Sequence, residues 1–381
     1  MYRFGEIEMK ILYLTTISNT MNAFLIPHIK MLIDEGHQVD VAFNIEQEVN
    51  HEIINMGCKI HEIHFQRTPF KIENVKAYRE LKKIIVTEKY DVIHTHTPVA
   101  STISRLACRK LKSIKVFYTA HGFHFFKGAP IKNWLLFYPI EKFLAKYTDV
   151  LITMNEEDYT TVKTKKFKAK KIVKVNGVGI DLHKFVPQTE ELKYSLRKKY
   201  GYSDKDFILI YVAELSKRKH QDLMINAVAK SAKSIPNIKL LLVGEGSLRS
   251  QYSNLVKSLG IEKNIELLGY RKDVPNLMLL SDVLVSSSRQ EGLPVNVMEG
   301  MATGLPMIVT NCRGNCDLVK NEFNGYIVGT DDVDMMSRRI EDIYRDNEKR
   351  DMFGKNNLKI IKQYSLDSVL DNMRKIYREL L

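Results

Sequence analysis

A chain of 381 residues, 44% hydrophobic and 27% charged, has length for two substantial domains and can bury most of its apolar surface, which excludes a small stapled module, a disordered chain and collagen-like order. Its 58 basic and 45 acidic residues leave a net charge of +13, concentrated as a patch: residues 101–174 hold 16 Lys and Arg against 5 Asp and Glu, whereas residues 1–100 hold 11 against 13. Such a patch suits a nucleic acid, an anionic membrane surface or a phosphorylated substrate.

Strand-length apolar runs alternate with stretches of helical period. Ile11–Ile17 reads as a strand, Ala23–Asp34 as a helix, Gln38–Phe43 as a strand, Glu46–Met56 as a helix and Ile60–Phe65 as a strand. Further strands are predicted at Val92–Thr95, Lys115–Ala120, Val150–Thr153 and Ile172–Val175, the rhythm of a parallel sheet covered on both faces. Between Asn176 and Asp206 the pattern breaks into Gly177, Gly179, Pro187 and one short basic helix, and reads as a linker. It restarts with strands at Phe207–Ala213, Lys239–Val243, Ile265–Leu268, Val283–Ser286, Met307–Thr310 and Tyr326–Val328, and ends in helices from Asp332 to Leu381. Two α/β domains facing a cleft follow, with ligands expected beyond the carboxyl ends of the strands.

Four cysteines (Cys58, Cys108, Cys312, Cys316) do not make a disulfide framework, and Cys312-x-x-x-Cys316 lacks the second pair of a metal site. Met1–Met9 lacks the basic and apolar regions of a signal peptide, and no apolar run approaches a membrane span. The expected location is cytoplasmic or peripheral to the membrane.

The sharpest local signal is Arg289-Gln290-Glu291-Gly292-Leu293-Pro294-Val295, running on to Glu299. Pro294 suits the first turn of a helix, and the free amides of Gly292, Leu293 and Val295 with the helix dipole favour an anion or sugar hydroxyls. Read alone, Glu291 and Glu299 fit equally well as a dipole partner and a solvated helix residue.

The spacing Glu-x7-Glu followed by Gly300-Met301-Ala302-Thr303-Gly304-Leu305-Pro306 resembles the retaining GT-B glycosyltransferases of family 4. The likeness extends through Thr119-Ala120-His121-Gly122, Asn176-Gly177-Val178 with Asp181 and Phe185, Val243-Gly244-Glu245-Gly246 and Leu268-Gly269-Tyr270. Ala120-His121-Gly122-Phe123-His124-Phe125 and Lys132-Asn133-Trp134-Leu135-Leu136 resemble the bacterial enzymes that extend lipid-linked exopolysaccharide or capsule units.

The resemblance implies a GT-B fold of two doubly wound Rossmann-like domains: an acceptor-binding domain over 1–185, a nucleotide-sugar-binding domain over 186–365, and a helix over 366–381 crossing back to the first domain. It implies that Lys219 holds the donor diphosphate, with Arg218 or Lys217 standing in for the arginine that the family carries where this chain has Glu214. Gly244 and Gly246 would admit the base or ribose, Tyr270 would line the base pocket, Glu299 would bond the ribose, and Glu291 the donor sugar. Gly292, Leu293, Pro294 and Val295 complete the donor site; His121 is expected near the donor sugar, and His96, His124 and Thr16 on the acceptor side. A UDP-sugar donor, a polyprenyl-pyrophosphate-linked glycan acceptor and an anionic membrane surface at the cytoplasmic face are the expected partners, with no nucleic acid. The membrane surface is expected at Arg105, Arg109, Lys110, Lys112, Lys115, Lys127, Lys132, Lys142 and Lys146 around Phe123, Phe125, Phe126, Trp134, Phe137 and Tyr138. No Asp-x-Asp is read after a strand, so no metal is expected. The rival readings are a GT-B nucleotide-sugar epimerase and a non-catalytic binder of nucleic acid or membrane.

Overall fold

The computed structural model describes residues 8–69 and 71–379 and divides into two compact units, 1–178 with 369–381 and 179–368. Most of the stretch Met1–Met9, read for a signal peptide, lies outside the described residues.

Unit 1 carries seven strands: β1 (Lys10–Ile17), β2 (Gln38–Asn44), β3 (Ile60–Glu62), β4 (Val92–His96), β5 (Lys115–Ala120), β6 (Val150–Thr153) and β7 (Lys171–Lys174). They pair in parallel in the order β3-β2-β1-β4-β5-β6-β7. The order reverses between β1 and β4, where the crevice of a doubly wound sheet opens. The helix expected over Ala23–Asp34 is two helices, Ser18–Phe24 and Ile26–Asp34, broken at Leu25 just before Pro27, which has no amide to continue the ladder. The helix expected over Glu46–Met56 shrinks to His51–Asn55, started by Asn50, whose side chain accepts from the Glu52 amide.

Unit 2 carries six parallel strands: β8 (Phe207–Val212), β9 (Ile238–Val243), β10 (Ile265–Gly269), β11 (Val283–Ser286), β12 (Met307–Thr310) and β13 (Gly325–Val328). Their order is β10-β9-β8-β11-β12-β13, with the switch between β8 and β11. Both faces are buried, and the strand period of two sorts the side chains. Leu209, Tyr211, Leu240 and Leu242 enter one core, and Ile208, Ile210, Leu241 and Val243 the other.

From Gly179 on, the segment read as a linker is part of unit 2. Its helix Glu190–Tyr200 is capped by Thr189 and stopped by Gly201, and it sends Arg197 into the domain. The Arg197 guanidinium, 3% exposed, bonds Asp282 at 2.7 Å and the carbonyls of Leu280, Asp204 and Asp206. The division between units falls at Val178 and Gly179, earlier than the expected Phe185, and the last 13 residues belong to unit 1. There Tyr377 meets the His94 imidazole at 2.6 Å, and Arg378 pairs with Glu35 at 2.8 Å.

Candidate functional site

In unit 2 the loops leaving β8 and β11 meet at the switch point. The first carries Lys217-Arg218-Lys219-His220 to the helix Gln221–Ser231, and the second carries Ser287 to Gly292 to the helix Val295–Thr303. The loops are sewn together: the Arg289 amide donates to the Arg218 carbonyl at 2.9 Å, the Ser287 hydroxyl to the His220 carbonyl at 2.7 Å, and the Tyr211 hydroxyl to the Lys219 carbonyl at 2.7 Å.

That sewing brings two expected site residues into contact. The Lys219 ammonium lies 2.5 Å from Oε1 of Glu291, and Arg218 lies 3.6 Å from Oε2. Glu291 is 5% exposed, and the Arg313 guanidinium holds its carbonyl at 2.9 Å. The site therefore has two cations on one carboxylate beside a helix N-terminus with no side-chain cap. The excess of positive charge suits an anion. Arg218, and not the exposed Lys217, stands beside Lys219; Glu214 is also exposed.

Pro294 differs from expectation in detail. Its ψ of 117 makes it the N-cap, and Val295 is the first helical residue. Gly292 and Leu293 lie in the loop before it. Glu299, within the helix, is partly buried; loss of hydration raises its carboxyl to about 7, partly offset by Lys184. A carboxyl raised in the fold adds stability that is complete below its unfolded value near 4.5 and is lost as pH climbs through 7. Glu299→Gln should therefore match the wild type at pH 4.5 and exceed it by about 1 to 3 kcal/mol at pH 8 in urea unfolding. A variant less stable at pH 8 would contradict this burial.

Gly244 and Gly246 permit close approach, but in this structure the approaching groups are backbone. A Cβ on Gly244, whose φ is +140°, would stand 2.1 Å from the Ala213 carbonyl oxygen, and one on Gly246 would stand 2.3 Å from that of Leu215. Tyr270 follows the edge strand β10 and is 73% exposed.

In unit 1 the β1/β4 switch point carries Thr16 and His96, with His121 beside them at the end of β5. The Thr97 hydroxyl bonds the amide and hydroxyl of Thr16 at 2.9 and 2.7 Å, joining the ends of β1 and β4. His96 ends β4, and its Nδ1 lies 3.0 Å from Nε2 of His121, the first residue beyond β5. His94, 0% exposed, stacks on His96 with ring centroids 4.4 Å apart and is held through its other nitrogen by Thr119 at 2.8 Å. His124 lies against Phe137 with centroids 4.7 Å apart.

Desolvation pushes His94 and His96 well below the usual imidazole range and His121 to about 4, so all three are neutral at pH 7. One His96 nitrogen, Nε2, is buried without a partner. An orphaned N–H is costlier than an orphaned lone pair, so His96 carries its proton on Nδ1 and donates it to His121. His121 is then left with its own proton on Nδ1, as a hydrogen-bond donor. Its folded value lies below its unfolded one, so pH-rate profiles should show no His121 limb near 6.5 and a fall only toward 4. A limb near 6.5 that disappears in His121→Gln would overturn the assignment.

The surface patch needs correction. Arg105 is 1% exposed and paired with Glu141 at 2.8 Å, and Phe123 and Phe125 are core residues on which Trp134, Phe137 and Tyr138 pack. Against the expectation, an Asp-x-Asp does follow a strand: Asp332-Val333-Asp334 comes soon after β13, where Asp332 caps a helix and Asp334 pairs with Lys230. Among the described residues no group of three or more His, Cys, Asp or Glu is placed to hold a metal ion.

Residues 193–360 match the family described as glycosyl transferases group 1, and residues 10–155 match the family described as glycosyl transferase 4-like. EpsD of Bacillus subtilis (strain 168), whose name assigns it to the glycosyltransferases without a donor or acceptor, is 38% identical over 97% of this chain and 96% of its own. The chain is a family 4 glycosyltransferase. An Escherichia coli relative named UDP-Gal:alpha-D-GlcNAc-diphosphoundecaprenol alpha-1,3-galactosyltransferase is 30% identical over 81% of each chain. The crystal structure of Anabaena Alr3699/HepE in complex with UDP and glucose has a TM-score of 0.79 at 18% identity, covering 98% of this chain and all of that one, which establishes the GT-B fold.

Three residues of this glycosyltransferase were not singled out by its sequence. Thr97 and His220 adopt φ of 65 and 55, rare for side chains other than Gly, and both sit at switch points. Asn296, in the first turn of the helix after Glu291, buries an amide nitrogen with no partner. Of the three, only Thr97 carried a positional signal, since it directly follows the end of β4.

Proposed function

We propose that the protein is a retaining, metal-independent transferase moving a hexose or N-acetylhexosamine from a UDP-sugar to a polyprenyl-pyrophosphate-linked glycan in bacterial exopolysaccharide or capsule synthesis, at the cytoplasmic face of the membrane. The observation that carries this reading is the convergence of Lys219, Arg218 and Glu291 at the β8/β11 switch point beside an uncapped helix N-terminus. The E. coli relative's name, with a UDP-sugar donor and a diphosphoundecaprenol acceptor, supports the substrate classes.

In this mechanism the two cations and the helix amides neutralise the diphosphate as the bond from sugar C1 to phosphate oxygen breaks. The acceptor hydroxyl oxygen forms its bond to C1 on the same face, through an oxocarbenium-like transition state, and passes its proton to the departing phosphate oxygen. Glu291 accepts hydrogen bonds from the sugar hydroxyls, and Glu299 from the ribose. Unit 1 serves the acceptor through Thr16, His96 and His124, and its His121 offers an N–H to a sugar oxygen.

Thermal unfolding with UDP, GDP, ADP and their sugars in EDTA tests the donor, and the anomeric configuration of the product tests retention. Stabilisation by UDP, and more by one UDP-sugar, is expected. No shift with any nucleotide, activity only with added divalent cation, or an inverted product would each overturn the corresponding part.

A further inference from the structure

The helix Ile131–Leu144, with sequence IKNWLLFYPIEKFL, is apolar on both faces. A helix apolar all round normally lies in a core or spans a membrane. This one does neither, since one face is open to solvent and no described helix is long and apolar enough to cross a membrane.

Its inward face is fully used. Trp134 and Tyr138 pack on Phe125 with centroids 5.4 and 5.5 Å apart, and Tyr138 on Phe167 at 5.8 Å. Glu141, the only carboxylate in the helix, turns inward to Arg105 at 2.8 Å. The outward face therefore carries no negative charge. It presents Ile131 and Leu135, each 73% exposed, with Ile140 at 37% and Phe143 at 51%.

Between them stand the exposed Lys132, Lys142 and Lys146, and the Lys146 ammonium lies 3.8 Å from the centre of the Phe143 ring. The turn that supplies Phe167 adds exposed Lys165, Lys166 and Lys168. An ordinary solvated face would mix charge signs and carry few large apolar groups. Apolar side chains interleaved with lysines alone match the boundary between acyl chains and anionic headgroups.

We propose that this outward face docks on an anionic lipid bilayer, with Ile131, Leu135, Ile140 and Phe143 entering between headgroups and Lys132, Lys142 and Lys146 against their phosphates. The inference deepens the lipid-linked acceptor reading and rests on it in naming a bilayer as the partner. It replaces the aromatic residues expected to face the membrane with four aliphatic and aromatic side chains that do stand in solvent.

The test is co-sedimentation of the full chain with phosphatidylcholine vesicles with and without phosphatidylglycerol, neither containing any glycan acceptor. Binding only to the anionic vesicles is expected. Leu135→Ser with Phe143→Ser should weaken it about tenfold or more, and Lys132→Gln about fivefold. Thermal stabilisation by UDP should be unchanged in these variants, which separates failure of the docking face from failure of the donor site. Equal binding by the variants, or equal binding to neutral vesicles, would overturn the proposal. So would a self-association of the wild type that the double variant abolishes, since a second copy would then cover this face.

Discussion

Lys219→Ala is expected to lower UDP affinity about 100-fold to 1000-fold, from the loss of charge-assisted hydrogen bonds to a diphosphate. Titration calorimetry with UDP and with UMP separates the cause. The loss should be large for UDP and small for UMP, whose single phosphate forgoes the terminal contact. The structure adds a second effect. Lys219 is the near partner of Glu291, whose side chain is 6% exposed, and removing one member of a buried pair leaves the other uncompensated. Arg218, 3.6 Å away and itself 45% exposed, relieves only part of that charge. The variant should therefore lose about 2 to 4 kcal/mol of stability as well. Lys219→Met with Glu291→Gln removes both charges and should recover most of the stability without recovering UDP binding. Unchanged UDP affinity in Lys219→Ala would refute the placement of the phosphates.

The strands were legible because a parallel sheet buried on both faces demands continuous apolar runs, and ILYLTTI in β1 or LLLV in β9 has no other plausible setting. Helix boundaries were less so. The break at Leu25 rests on one residue, Pro27, inside an otherwise continuous apolar helical pattern, and the linker reading failed because Arg197 looks solvated until Asp282 is brought beside it. Lys219 and Glu291 could be singled out as candidates through spacing and family likeness. Their pairing was not, since 72 residues separate them and only the β8/β11 crossover joins them. Thr97 and His220 gave no sign of positive φ, because strain of that kind is imposed by the surroundings. The helix Ile131–Leu144 could not be oriented from its pattern, as both faces are apolar; the burial of Glu141 on Arg105 decides which way it turns.

Glu291→Gln should act in the opposite sense on the same pair. In the free protein the Lys219 ammonium is engaged by Glu291, so a diphosphate must compete with a carboxylate for it. Replacing that carboxylate with an amide of the same shape keeps the loop, because the Arg313 contact is to the Glu291 backbone carbonyl. It leaves Lys219 more available to phosphate, and UDP affinity should rise a few-fold. Turnover should fall about 100-fold, because a neutral amide is a weaker acceptor for sugar hydroxyls and gives up the charge that steadies an oxocarbenium-like centre. The pair of readouts separates the roles. Tighter UDP with slower transfer identifies Glu291 as a partner of the sugar. Weaker UDP with normal transfer would make it part of the phosphate site. If both are unchanged, the Lys219–Glu291 contact is structural and the donor sugar is held elsewhere.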